Sequence, residues 1–82
     1  MNNQNHGSFL LQNDLATKLI LSFEPEADEY RLSPGEKVVI YQSYRMHPVT
    51  VKLEMLKDGE VAAVIWPGDG TIRVEKDGIS IR

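Results

Sequence analysis

Short runs of alternating apolar and polar residues, separated by turn signals, recur along this chain at intervals of roughly ten residues. The clearest examples are residues 19–41, which contain several such runs in succession, and residues 49–56. Alternation with a period of two places one set of side chains in a core and the other toward solvent, as in a β-strand. We therefore expect an all-β fold, a small antiparallel β-sandwich or barrel of about seven strands.

The breaks between these runs contain residues whose backbone preferences favour turns. Pro25 has no N–H for a sheet ladder, so the preceding strand is expected to end there or to become an edge. Ser33-Pro34-Gly35 predicts a type II turn, because the proline presets its own φ and the glycine accepts a positive φ. Lys57-Asp58-Gly59 and Lys76-Asp77-Gly78 predict two further tight turns.

The start of the chain allows two interpretations. Residues 1–8 are polar and show no periodicity, so we expect a disordered tail, followed by a single domain over residues 9–82. Residues 8–20 fit either a helix capped by Ser8 or two strands joined by a turn at Asn13-Asp14. The Asn-Asp pair favours the two strands.

Alternation also predicts which side chains of the second half share a face. The strand over residues 49–56 has an apolar face that consists of Val49, Val51, Leu53 and Met55. Residues 60–66 are apolar on both faces and predict a central strand that is covered on both sides. Inward positions near the C-terminus are expected for Ile72, Val74, Ile79 and Ile81.

Composition narrows the functional classes. The chain has 82 residues, a formal net charge of −3 and no cysteine. Its basic residues are spread along the sequence rather than clustered, which disfavours binding to phosphate backbones. No apolar run approaches the roughly 20 residues of a membrane span, and the first residues lack the pattern of a signal peptide. We expect a cytoplasmic protein that binds neither nucleic acid nor a membrane.

An acidic cluster forms the first candidate interaction surface. It consists of Glu24, Glu26, Asp28 and Glu29. Oxygen ligands bind Ca²⁺ when they follow a fixed loop register, and that register is missing here. We therefore expect the cluster either to protect an edge strand from aggregation or to recognise a basic partner.

An irregular loop and the single tryptophan form the second candidate surface. Tyr44, Arg45 and His47 lie in the longest stretch between predicted strands, and loops carried by a rigid sheet often hold function. Trp66 precedes a Pro-Gly-Asp-Gly turn and would be a binding anchor if it were exposed. The other interpretation of Trp66 is a core residue that closes one end of the sandwich.

Catalysis is the least supported class. His47 could act as an acid or base with Glu54, Glu60 or Asp69, but no Ser/His/Asp spacing identifies a catalytic set. The glycines around Asp69 lack the Lys-Ser/Thr of a phosphate-binding loop. His6 alone supplies too few ligands for a metal. We expect no catalytic residue, no metal and no cofactor, and therefore no enzyme.

Two phrases carry a family resemblance, FEPEADEYRLSPGEKVVIY and VIWPGDGTIRVEKDG. Over residues 19–78 the chain resembles small uncharacterised bacterial β-sandwich proteins of cupredoxin-like or immunoglobulin-like shape. Blue-copper members of the cupredoxin class use a Cys thiolate and two His ligands. This chain has no cysteine, and one of its two histidines lies in the expected tail. The resemblance therefore implies the shape without the copper.

These observations favour a non-catalytic protein-interaction module. Its partner would be an unidentified protein or a second copy of the chain, paired through an edge strand. The alternative is a small-ligand or carbohydrate-binding domain that uses exposed aromatic rings, with Trp66 beside Tyr41 or Tyr44.

Overall fold

A computed structural model describes residues 4–82, and the regular elements in this range are β-strands. They are β1 Asn5–Gln12, β2 Leu19–Phe23, β3 Asp28–Leu32, β4 Lys37–Tyr44, β5 Thr50–Met55, β6 Val61–Trp66, β7 Thr71–Lys76 and β8 Ile79–Ser80. The expected all-β class is confirmed, and residues 8–20 belong to two strands joined by a turn rather than to a helix. Within residues 4–82 there is no helix with the length and apolarity needed to cross a membrane.

The strands form two four-stranded sheets that pack as a sandwich. One sheet has the order β1-β4-β7-β8 and is antiparallel throughout. The other has the order β3-β2-β6-β5, and its central strands β2 and β6 run parallel, with Leu21 opposite Ala63. Because β2 and β6 occupy the centre of the second sheet, β3 and β5 become its two edges.

The core lies between the two sheets and is built from the inward faces that the alternation predicts. The buried cluster comprises Leu19, Leu21, Phe23, Leu32, Val38, Ile40, Ala63, Ile65 and Val74. Strand β2 contributes three of these residues, and each is 5% exposed or less. Removal of this apolar surface from water is the main term that stabilises the sandwich, at about 25 cal/mol per Å².

Strand β1 begins at Asn5, earlier than the alternation indicates. Asn5 and Ser8 lie opposite Tyr44 and Tyr41 of β4. Ladder hydrogen bonds join backbone groups and need no apolar side chain, so a polar segment can pair along the whole length of β4. Residues 1–3 of the expected tail lie outside the described residues.

Asn13 holds the turn between β1 and β2 and is completely buried. Its side-chain Nδ2 donates to the carbonyl oxygens of Thr17 at 2.9 Å and Leu32 at 3.0 Å, and its Oδ1 accepts the N–H of Leu15 at 2.9 Å. Its backbone also accepts from Gly35 at 2.8 Å. One side chain therefore ties this turn to the end of β3, which explains why a polar residue is stable in the interior.

The predicted turns have the expected backbone geometry. Gly35 has a φ of 84°, and the N–H of Glu36 donates to the carbonyl of Ser33 at 3.0 Å, as in a type II turn. Asp77 and Gly78 have φ values of 53° and 78°, which is the pattern of a type I′ hairpin turn. The Gly and Asp signals in the sequence therefore identify these turns correctly.

The expected burial of Ile79 is wrong. Its side chain is 69% exposed, whereas Val74 is buried and Ile72 and Ile81 pack against the core. Strand β8 has only two residues and lies at the edge of its sheet. Ile79 therefore projects beyond the cover that the second sheet provides.

Replacement of Asn13 by Ala should lower the free energy of unfolding by about 2–4 kcal/mol. The change leaves two carbonyl oxygens and one N–H without their side-chain partner, and each unsatisfied buried group costs about 1–3 kcal/mol. The exposed neighbour Asp14 provides the control, because Asp14→Ala should change stability by less than about 0.5 kcal/mol. Equal effects of the two substitutions in denaturant unfolding would contradict the role assigned to Asn13.

Candidate functional site

The acidic turn between β2 and β3 is partly neutralised within the protein. The guanidinium of Arg82 pairs with the carboxylate of Glu26 and, at 2.7 Å, with that of Asp28. The same guanidinium lies over the ring of Phe23, 4.9 Å from its centroid. These contacts attach the end of the chain to the acidic turn, so half of the predicted acidic cluster has a basic partner in the protein itself.

Asp69 holds the loop that contains Arg45 and His47, whereas Tyr44, expected in this loop, is the last residue of β4. The carboxylate accepts three backbone N–H groups, from Arg45 at 3.0 Å, Met46 at 2.8 Å and His47 at 3.1 Å. In return, the N–H of Asp69 donates to the carbonyl of His47 at 3.1 Å. Asp69 therefore fixes the path of this loop against the turn that follows β6.

Two glycines allow this close approach. A Cβ at Gly68 would overlap the carbonyl of His47, and a Cβ at Gly70 would overlap that of Ser43. The two loops therefore pack backbone against backbone, which requires glycine at both positions. Gly68-Asp69-Gly70 is a structural clamp for the neighbouring loop.

The hydrogen bonds to Asp69 also set its ionisation. The backbone N–H of Arg45, followed by that of Met46, holds the pKa of the Asp69 carboxyl below its ordinary value, and the N–H and charge of His47 act in the same direction. The carboxylate is therefore ionised and occupied by backbone donors. This leaves it poorly suited to serve as the proton partner of His47.

Trp66 lies on the outer face of its sheet and is 46% exposed. It follows Ile65, which faces the core, so alternation directs the indole away from the core. The interpretation of Trp66 as a core residue is therefore wrong. Strand β6 is central in its sheet, as expected, but its outer face is covered only in part.

A shallow groove runs along this outer face beside Trp66. Its floor is formed by Ile20 and Ala62, which are 3% and 4% exposed. Glu24, which follows β2, and Glu29 of β3 line the groove, as do Lys52 and Glu54 of β5. Lys52 pairs with Glu54 at 3.1 Å, so the groove as a whole is acidic.

The predicted interaction residues separate into three groups. Glu24, Glu29 and Trp66 share the groove. Glu26 and Asp28 pair with Arg82. The third group consists of Tyr44, which ends β4 opposite Asn5, and of Arg45 and His47, which the Asp69 clamp holds. The acidic turn and the turn around Gly70 line one depression, so the last two groups lie at the same end of the sandwich.

Strand β5 carries an exposed apolar row that the sequence pattern does not identify. Leu53 is 69% exposed and Met55 is 79% exposed, although both share the face of the half-buried Val51. Alternation correctly groups these side chains on one face, but it cannot tell whether another layer covers that face. The signal in the sequence is the Lys-Leu-Glu-Met order, which places opposite charges beside the apolar row.

The hydrogen-bond pattern shows which backbone groups of β5 point away from the sheet. The N–H of Leu56 donates to the carbonyl of Glu60 at 2.7 Å, so the backbone groups of Leu56 point toward the neighbouring β6 side of the sheet. Direction alternates along an antiparallel strand, so the backbone groups of Lys52 and Glu54 also face β6. The backbone groups of Val51, Leu53 and Met55 therefore point away from the sheet. Among the described residues, no further strand lies on that side of β5.

The described residues contain no group of three His, Asp or Glu side chains that could hold a metal ion. Comparisons with protein-family models, with curated proteins and with solved structures give no match for this chain.

Replacement of Asp69 by Ala should accelerate amide hydrogen exchange at Arg45, Met46 and His47 by about tenfold or more, because each amide loses a charge-assisted hydrogen bond. The matched control is Asp58→Ala, which removes an exposed aspartate from a different turn. Unchanged exchange at these three amides in Asp69→Ala would rule out the clamp.

The clamp should also depend on pH in one direction. Because the folded-state pKa of Asp69 is lowered, its contribution is complete above the ordinary aspartate pKa of about 4 and is lost as pH falls through the lowered value. The chemical shifts of the three amides should therefore change at acidic pH in the natural protein and should not show this transition in Asp69→Ala.

Proposed function

We propose that this protein is a non-catalytic protein-interaction module whose binding element is the edge strand β5. The observation that carries the proposal is the coincidence of an exposed apolar row, Leu53 and Met55, with outward backbone groups on the same strand. An extended segment of another chain can pair with such an edge through main-chain hydrogen bonds, and its side chains can cover the apolar row.

The other sheet edges are less suited to this role. Strand β3 presents Asp28, Glu29 and Arg31, and charges at an edge oppose pairing with another strand. Strand β8 has only two residues. Strand β1 exposes one large apolar side chain, Leu10, at 54%. Strand β5 exposes two large apolar side chains on one face, Leu53 and Met55, so a partner strand there would bury the most apolar surface.

The engagement of the carboxylates considered as partners of His47 supports a non-catalytic role. The three that could assist His47 are each held by another group. Glu54 pairs with Lys52 at 3.1 Å and Glu60 pairs with Arg31 at 3.0 Å. The carboxylate of Asp69 accepts backbone N–H groups. An acid or base at His47 would therefore act without an oriented carboxylate.

Binding of a small ligand or carbohydrate is the second candidate, and it rests on Trp66 beside the acidic groove. Such a site needs a second ring on the same side. Tyr41 lies on the outer face of the other sheet, where Arg73 covers its ring at 4.1 Å and Glu75 is 3.4 Å from its hydroxyl. Tyr44 ends β4 and is half-buried. This distribution of rings favours the protein-interaction module.

The proposal includes several finer properties. The net charge of −3 supports a protein partner rather than nucleic acid or a membrane surface. The lack of cysteine supports a cytoplasmic location. A bacterial source and a cupredoxin-like or immunoglobulin-like arrangement of the two sheets belong to the same proposal, and both rest on the resemblance of residues 19–78.

Site-specific photo-cross-linking tests the proposal in the cells that make the protein. A photoreactive p-benzoylphenylalanine at Leu53 should give adducts of defined mass, because this side chain borders the proposed partner strand. The control places the same residue at Glu29, an exposed position on the opposite edge strand β3. Adducts at Leu53 in at least about fivefold excess over Glu29 are expected. Equal yields, or none from Leu53, would contradict a β5 binding edge.

A further inference from the structure

We infer that the strand that pairs with β5 is β5 of a second copy, antiparallel to it, with Leu53 on the two-fold axis. This inference rests on the proposed function, because it names the partner of the same edge. The two copies would together form one continuous eight-stranded sheet. Symmetry makes the interface isologous, so each contact away from the axis occurs twice.

Backbone geometry limits the registers in which two copies can pair. The outward groups belong to Val51, Leu53 and Met55, so these residues must lie opposite one another in hydrogen-bonded pairs. With Leu53 opposite Leu53 of the second copy, Val51 lies opposite Met55. All outward residues of the strand then have a partner.

Charge selects this register among the neighbouring ones. When Leu53 lies on the axis, Lys52 faces Glu54 of the second copy, and Glu54 faces Lys52. A register centred on residue 52 would place two lysines opposite each other, and one centred on residue 54 would place two glutamates opposite each other. Like charges directly opposite are destabilising in an antiparallel pair, whereas unlike charges stabilise it. The strand is therefore complementary to itself in one register.

The groups that would form these contacts are available in the single chain. Lys52 and Glu54 lie on one strand and pair at 3.1 Å, with 67% and 39% of their side chains exposed. An exposed pair of this kind contributes little to stability, so it can be exchanged for contacts across the interface. Leu53 and Met55, which are 69% and 79% exposed, would be covered by the same row of the second copy.

The expected dimer is weak. A contact made mainly by two short strands falls below the roughly 1,200 Å² of total buried surface that is typical of stable complexes. Association should therefore appear only at high protein concentration, in the upper micromolar range (roughly 10⁻⁴ M).

Charge reversal tests the register by sedimentation equilibrium on the full chain. Lys52→Glu and Glu54→Lys should each weaken self-association by about tenfold or more, because each creates two like-charge contacts in the dimer. The double variant Lys52→Glu/Glu54→Lys should restore the dissociation constant to within about threefold of the natural value. An equimolar mixture of the two single variants should also dimerise. Thermal unfolding of the diluted variants verifies that each one folds.

Single cysteines test the position of the two-fold axis in a chain that contains no other cysteine. Residues in a hydrogen-bonded antiparallel pair have Cα atoms about 5.5 Å apart, which a disulfide can span. Leu53→Cys should therefore form a disulfide-linked dimer under mild oxidation. Met55→Cys is the matched control, because Met55 is at least as exposed as Leu53 but lies opposite Val51 of the second copy.

Three results would overturn the inference: a natural chain that stays monomeric at about 1 mM, a double variant that associates no better than the single variants, or equal cross-linking of the two cysteine variants. Photo-cross-linking at Leu53 distinguishes failure of the β5–β5 dimer from failure of β5 as a binding edge. An adduct with a different protein from a chain that does not self-associate would retain β5 as a binding edge and exclude the second copy. No adduct and no self-association would remove both.

Discussion

Every β-strand carries backbone donors and acceptors on two sides, and a sandwich of two open sheets leaves four strand sides without a neighbour. The four edge strands of this protein differ in how their unpaired backbone groups are protected. Strand β3 has an acidic edge, β8 is very short, and the N-terminal half of β1 is polar. Strand β5 is different because its outward backbone groups lie beside two exposed apolar side chains. The unmet pairing of β5 is the physical basis of the proposed interaction.

The loops that sequence patterns favour as functional sites are held by polar contacts within the protein. Asn13 joins the first turn to the end of β3, and Asp69 holds the backbone of residues 45–47. Arg82 draws the end of the chain to the acidic turn. In each case a polar side chain replaces packing that so small a domain cannot supply, since chains of this size bury only about 60% of their unfolded surface. The binding element that we propose is accordingly a strand edge rather than a loop.

Much of the fold follows from local chemistry. Period-two alternation identifies the strands and their faces, and Gly35 and Asp77-Gly78 adopt the backbone geometry that their turns require. The parallel pairing of β2 with β6 does not follow, because it joins segments far apart in the sequence. The burial of Asn13 depends on the carbonyl of Leu32, which only the folded chain brings near.

The candidate site was less accessible to sequence reasoning for a related reason. Alternation assigns Leu53 to the same face as Val51, but whether that face is covered depends on the extent of the opposite sheet. The same limitation explains the misplaced Ile79, which lies at a sheet edge. Trp66 differs, because the pattern is compatible with either environment, and the face of β6 that packs on the core, which carries Ile65, decides between them. Edge exposure is a property of topology, and topology is not encoded in any single segment.

Amide hydrogen exchange along β5, measured at two protein concentrations, tests the central claim most directly. In dilute solution the amides of Lys52 and Glu54 should exchange slowly because they face β6, and those of Val51, Leu53 and Met55 should exchange rapidly. At high concentration the second group should become protected while the first changes little. The account would be contradicted if Val51, Leu53 and Met55 were already protected in the dilute monomer, or if their exchange did not respond to concentration.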